Sequence, residues 1–251
     1  MTGSPPHSSR LAPHRVYLHG WGLHGGIWAE TLAVLPGMAP DLPGYGGRPM
    51  PSPYSAESLA DALAETLNAP VSLIGWSMGG MVALALAARH PDKVAKLVLV
   101  GASPVFVNRP GWDHGLAPEV LAGFAESLRQ DYRATLLRFL SLQARGGDAA
   151  REVIARLRDT VFQRGEPHAA TLAAGLELLR DVDLRDPAAS VACPTLVVHG
   201  GYDTLCPAAA GRWLADRISG ARLALHDRAA HAPFLSHPRW FAERVQAFLH
   251  E

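Results

Sequence analysis

The chain has 251 residues, 48% hydrophobic and 18% charged, with 23 basic and 23 acidic side chains that leave no formal net charge. Such an apolar fraction excludes a wholly disordered chain, and the longest apolar run, residues 81–88, is far short of the ~18 needed to cross a bilayer. Neutrality argues against nucleic acid as the main partner, and two cysteines, Cys193 and Cys206, suit neither a disulfide framework nor a zinc site.

Residues 1–13 are rich in Pro and Ser and lack an apolar stretch, so they read as a flexible leader, not a secretion signal. A cytoplasmic monomer with reduced thiols is expected. Continuous apolar runs at 16–19, 71–75, 97–100, 195–199 and 223–226 suit strands covered on both faces. Residues 55–68 place Leu59, Leu63 and Leu67 at helical spacing behind Ser55 and Ser58, both cap-region residues. Residues 78–90 are almost wholly apolar and predict a buried helix. Residues 207–219 and 238–250 each open on proline, which suits a first helical turn.

Strands alternating with helices imply an α/β fold with a mainly parallel sheet, right-handed crossovers and helices on both faces. One stretch departs from that rhythm. Between residues 100 and 195 there is no strand signal, and 118–129, 131–144, 149–164 and 168–181 all read as helices. The expected division is a core of residues 14–101 and 191–251 with a helical cap of residues 102–190. Insertions of this kind sit at one end of the strands, where ligands bind.

The run at 71–75 leads into Gly75-Trp76-Ser77-Met78-Gly79-Gly80 and then directly into the apolar helix. G-x-S-x-G between strand and helix is the arrangement of a nucleophile elbow. The serine must sit on a sharp turn, small neighbours let strand and helix approach, and the helix N-terminus suits a developing oxyanion. In a chain with 24 glycines the pattern alone is weak, and a glycine-rich turn with a bystander serine is the plain alternative. The flanking strand and helix give the motif its weight.

A serine hydroxyl needs a base, and the base needs a carboxylate to orient it. Asp203 lies just past the run at 195–199 and His231 just past the run at 223–226, the chain order of Ser, acid and base for this elbow. Asp227 is a competing acid that reads better as a turn residue. His237 reads as a surface or capping residue, His199 as a core residue, and His19 as shaping the loop 18–22. That loop must supply one backbone N–H of an oxyanion hole and the residue after the serine the other, so Trp21 and Met78 are the expected donors.

His19-Gly20, Asp41-Leu42-Pro43-Gly44-Tyr45-Gly46, the elbow, Asp203 and His231 together resemble the α/β-hydrolase superfamily over residues 15–250. More narrowly, LHGWGLHGGIW at 18–28, the GWSMGG elbow and FLSLQ at 139–143 resemble the carboxylesterases that hydrolyse pimeloyl-acyl-carrier-protein methyl ester in biotin synthesis. The resemblance implies an α/β-hydrolase fold with a helical cap, a Ser77–His231–Asp203 triad, and no metal or organic cofactor. It also implies a substrate site lined by Trp21, Ser77, Met78, Phe139, Leu140, Ser141, Leu142, Gln143 and His231. From spacing alone, the stripe Leu136, Phe139, Leu140 and Gln143 reads as packing of cap on core; the resemblance makes it the wall of an acyl channel.

Residues 129–164 hold eight arginines against four acids. Arg138, Arg145, Arg151, Arg156 and Arg158 are therefore candidates to steer an acidic carrier protein, the alternative being a solvated helical face in an Arg-rich chain. Two features depart from the family pattern. Residues 1–14 show no strand-like sequence, which implies a shortened sheet edge, and Cys206 in the acid loop has no assigned role. The competing functions are a general small-ester hydrolase, a C–C hydrolase or lyase, and a silent binding protein on the same fold. A dehalogenase would need a carboxylate where Ser77 stands.

Overall fold

The computed structural model describes residues 14–251, so the leader expected at 1–13 lies outside the described residues. The chain runs through β1 (Arg15–Leu18), α1 (Ala29–Val34), α2 (Ala56–Ala64), β2 (Val71–Trp76), α3 (Met78–Arg89) and β3 (Val94–Val100). Four helices follow without a strand: α4 (Pro118–Gln130), α5 (Tyr132–Leu142), α6 (Ala150–Val161) and α7 (Ala169–Asp181). It closes with α8 (Arg185–Ser190), β4 (Thr195–Gly200), α9 (Ala208–Arg217), β5 (Arg222–His226), α10 (Pro233–Ser236) and α11 (Pro238–His250).

The five strands form one parallel sheet in the order β1-β2-β3-β4-β5. A sheet wound in chain order with right-handed crossovers puts the helices that lead into each next strand on one face. Contacts agree with that geometry: α2 packs on α3, α3 on α8 and α8 on α9, while α1 packs on α11, and α11 on β4, across the sheet. α3 lies between the sheet and its helical neighbours, and residues 78–87 are all buried, which accounts for its apolar sequence on every side. β2 is central and buried at every position.

The expectation of cover on both faces does not extend to β5. As an edge strand it leaves Arg222 exposed and its other residues half-buried. At the opposite edge, among the described residues, β1 is extended by a one-residue bridge: Tyr17 N donates to Met38 O at 2.8 Å and Met38 N to Arg15 O at 2.8 Å.

Local chemistry sets the helix ends. Ser55 caps α2 by accepting from Ser58 N, and Ser58 returns the bond to Ser55 N. Asp131 starts α5 by accepting from Ala134 N. α2 stops at Ala64, so the helical spacing read through residue 68 overran the end by a turn. α8 packs against the core helices α3 and α9, while α4 packs on α5 and α7, and α5 on α6. Among the described residues no helix is long and apolar enough to cross a membrane.

Candidate active site

The strands end together at one edge of the sheet, with Leu18 opposite Gly75, Trp76 opposite Val100 and Gly200 opposite His226. The loops leaving that edge carry Trp21, Ser77, Asp203 and His231. Between β2 and α3 the chain turns at Ser77, which holds φ 56° and ψ −123°, a conformation costly for an L-residue. Its N–H donates to Val100 O at 3.0 Å, while its C=O accepts from Gly80 and Met81. The glycines serve close approach. A Cβ on Gly75 would lie 2.3 Å from Gly79 O, and one on Gly79 would lie 2.4 Å from His19 O.

His231 Nε2 is 2.8 Å from Ser77 Oγ, and His231 Nδ1 is 2.7 Å from Asp203 Oδ2. All three side chains are buried. Asp203 Oδ1 accepts from Leu205 N at 3.0 Å and Cys206 N at 2.9 Å, so the carboxylate is held on both oxygens. The loops after β4 and β5 are laced to each other: Gly201 N donates to His226 O and Tyr202 N to Ala229 O, each at 2.9 Å. This geometry can pass the Ser77 proton to His231 while Asp203 fixes the ring.

The loop after β1 lies beside the serine, since a Cβ on Gly20 would come 3.2 Å from Ser77 Cβ. Among the described residues the backbone N–H groups of Trp21 and Met78 donate to no other group, which leaves both available to an oxyanion. His19 anchors this loop. Leu42 N donates to His19 Nε2 at 2.9 Å, so the ring proton sits on Nδ1, which donates to Gly20 O at 2.9 Å. Burial pulls its pKa down to about 4, keeping the ring neutral.

The cap closes over these groups. Trp21 Nε1 donates to Leu172 O at 2.9 Å, and its ring meets Phe139 edge-on at 4.8 Å. Leu136, Phe139, Leu140 and Gln143 are buried, whereas Ser141 and Leu142 are half-buried. Gln143 Oε1 is buried without a hydrogen-bond partner. A cavity of about 1020 Å³ opens between α4 and α7, lined by Val107, Leu121, Leu128, Tyr132 and Leu176 with Arg129 and Arg180 at its rim. None of Ser77, Asp203 and His231 lines it. Of the cap arginines, Arg138, Arg145, Arg151 and Arg158 are exposed. Arg138 lies over the Phe124 ring at 4.8 Å, and Arg158 points to Ser141 Oγ at 3.4 Å. Arg156 is occupied as a tether, bonded to Glu30 at 2.8 Å and to Leu235 O at 3.3 Å.

The competitors fall elsewhere. Asp227 is exposed in the turn after β5, and His237 stacks on His226 at 3.7 Å between ring centroids. His199 is a core residue, and it also lies beneath the acid loop, 3.4 Å from Asp203 Oδ2. Reading the sequence missed three supports of the histidine. Trp76 Nε1 donates to His231 O at 2.8 Å, and His231 N donates to Gln143 O in the cap at 3.0 Å. Gly101, at φ 50°, leaves the space for the ring; a Cβ there would lie 3.2 Å from His231 Nδ1. A glycine directly after β3 was the one local signal. Cys206 contributes through its backbone, while burial holds its thiol well above the ordinary range.

A family model described as the alpha/beta hydrolase fold matches residues 13–238. Among curated proteins, a pimeloyl-acyl-carrier-protein methyl ester esterase of Aromatoleum aromaticum is 45% identical over 90% of this chain and 94% of its own. One of the same name from Aeromonas hydrophila is 41% identical over 94% of this chain and 95% of its own. Among solved structures, an esterase from Exiguobacterium antarcticum superposes with a TM-score of 0.86 at 25% identity, covering 96% of this chain and 93% of that one. An enol-lactonase from Burkholderia xenovorans superposes with a TM-score of 0.81 at 29% identity, covering 98% and 94%.

Proposed function

This chain belongs to the α/β-hydrolase fold family, and from that membership we propose that it is a serine carboxylesterase acting on the methyl ester of pimeloyl-acyl-carrier protein. The products are pimeloyl-acyl-carrier protein and methanol, a step of biotin synthesis. What carries the reading is near-full-length likeness, at 41–45% identity, to esterases of that name, in a chain whose Ser77, His231 and Asp203 are hydrogen-bonded in series.

In this reading Ser77 Oγ attacks the ester carbonyl as His231 Nε2 takes its proton. The carbonyl oxygen becomes an oxyanion held by the N–H groups of Trp21 and Met78. Collapse expels methanol, protonated by His231, and leaves an acyl-serine. Water then attacks that ester while His231 takes its proton, and the proton returns to Ser77 as the carboxylic acid departs. Asp203 keeps Nδ1 protonated and the ring aimed throughout. No metal or organic cofactor is called for. Phe139, Leu140, Ser141, Leu142 and the ring of Trp21 form the wall for the acyl chain, and Gln143 Oε1 offers a buried acceptor. The exposed Arg138, Arg145 and Arg151 meet the acidic carrier, and we place the reaction of a monomer in the cytoplasm, where Cys193 and Cys206 stay reduced.

The test is methanol release from pimeloyl-acyl-carrier-protein methyl ester by the purified protein, with complementation of a biotin-requiring strain that lacks the methyl esterase. Ser77→Ala is expected to lower kcat by about 10³-fold or more while leaving the fold intact. The esterase and enol-lactonase structures favour a second reading, a hydrolase of small esters. A protein that cleaves p-nitrophenyl acetate but releases no methanol from the carrier-bound ester would establish that reading instead.

A further inference from the structure

β4 ends at Gly200, and the loop it launches carries Asp203 and Cys206, so the imidazole of His199 lies directly beneath that loop. His199 is fully buried. Its Nε2 is 2.7 Å from Cys206 O and 3.4 Å from Asp203 Oδ2. A carbonyl oxygen can only accept, so Nε2 carries the ring proton and Nδ1 is bare. Nδ1 has no hydrogen-bond partner among the described residues and faces Gly211 of α9, where a Cβ would come within 2.5 Å of it. An apolar side chain would fill this space without burying an unpaired nitrogen. The ring's contribution therefore lies in its one N–H.

That N–H is given to the Cys206 carbonyl, and Asp203 Oδ2 lies 3.4 Å from the same nitrogen without a hydrogen bond to it. Asp203 Oδ1 is held by the amides of Leu205 and Cys206, and Oδ2 serves His231 at 2.7 Å. We propose that His199 is a positioning residue for the esterase reaction, whose N–H clamps the Cys206 carbonyl and so fixes the amides that hold Asp203 in place for His231. The inference rests on the reading of Ser77, His231 and Asp203 as the triad. The ionisable groups facing His199 are Asp203 and the Cys206 thiol from the acid loop, His231 from the loop after β5, and Arg212 from α9. Burial lowers the basicity of His199 itself, so it remains a neutral donor.

The experiment compares His199→Gln, His199→Asn and His199→Phe for p-nitrophenyl acetate hydrolysis and for the rate at which a fluorophosphonate labels Ser77. A Gln amide can reach the place of Nε2, so His199→Gln is expected to keep kcat within about threefold. His199→Phe keeps the ring shape without the N–H and is expected to lose about tenfold or more in kcat at unchanged KM. Where circular dichroism shows His199→Phe unfolded, His199→Asn takes its place, since its amide is too short to reach Cys206 O. Unchanged kcat in the folded N–H-less variant would overturn the proposal, as would an equal loss in His199→Gln. Wild-type protein that resists labelling would overturn the triad reading itself. Labelled wild type with all variants labelling equally fast would overturn the positioning role alone.

Discussion

Ser77 holds its strained φ of 56° because five neighbours leave the turn no other path: its N–H is tied to Val100, its C=O to Gly80 and Met81, and Gly75 and Gly79 let α3 close on the sheet. The base is held just as firmly, but from a distance in sequence. Trp76 Nε1 bonds the carbonyl of His231, 155 residues away. Trp76→Phe keeps the packing and removes that bond, so a stability loss of about 1 kcal/mol and a several-fold lower kcat are expected by thermal melting and ester kinetics. His19 adds a dependence on pH. Its folded pKa of about 4, against an ordinary 6.5, means that the unfolded chain takes up a proton between those values while the folded chain does not. Stability from this group is complete above pH 6.5 and lost progressively towards pH 4, to the extent of about 3 kcal/mol. In His19→Gln, whose side-chain oxygen can still accept from Leu42 N, unfolding free energy is expected to fall less steeply between pH 7 and 5. An equal slope in both proteins would refute this assignment. Ser77, Asp203 and His231 were legible in the sequence because each stands just after an apolar run, so periodicity and chain order place them at one sheet edge. Trp76, Gly101 and His199 were not legible as partners of the triad, since their roles are contacts between segments that no local pattern joins.

At the scale of elements, long periodic segments were read correctly and short ones were not. α4 to α7, each 11 to 13 residues, were recognisable from helical spacing, whereas α1 and α8, each six residues, are too short to develop a stripe. β5 read as a covered strand because its composition resembles that of its neighbours, and only sheet order reveals it as an edge. The cap meets the core through specific small-residue contacts. Gly175 of α7 lies against Trp21, and a Cβ there would come 2.5 Å from Trp21 Cδ1. Gly175→Val is therefore expected to push α7 away from the loop that carries the Trp21 N–H, costing about 1–3 kcal/mol and lowering kcat more than it changes the melting curve of the core. Differential hydrogen exchange at α7 provides the check: protection unchanged in the variant would refute the contact's importance. Other ties cross the same seam, with Arg164 bonded to Asp41 at 3.0 Å and His24 Nε2 donating to Thr160 O at 2.8 Å.

Across the whole molecule, net neutrality conceals residues 129–164, where eight arginines stand against four acids, an excess that the rest of the chain offsets. Arg156 spends its charge on Glu30, while Arg138, Arg145 and Arg151 are exposed. Arg138→Glu with Arg151→Glu is expected to raise KM for the carrier-bound ester by about tenfold at low salt, and by less at high salt, where screening weakens the wild-type attraction. Hydrolysis of p-nitrophenyl acetate, which carries no partner charge, is expected to stay unchanged. Equal losses on both substrates would point to damage at the site instead of lost attraction.

The hydrogen bond from His231 N to Gln143 O has a consequence for how such enzymes diversify. Caps are natural units of exchange, because β3 and α8 offer clean junctions at which one helical insertion could replace another. Here, however, the inserted segment supplies the acceptor that holds the base's own amide. An exchanged cap would inherit responsibility for the chemistry along with the choice of substrate. A chimaera with the right pocket and no carbonyl at that point would bind its ester beside a histidine whose loop has come loose. New specificity on this scaffold is accordingly easier to reach by changing side chains within the cap than by replacing the cap as a piece.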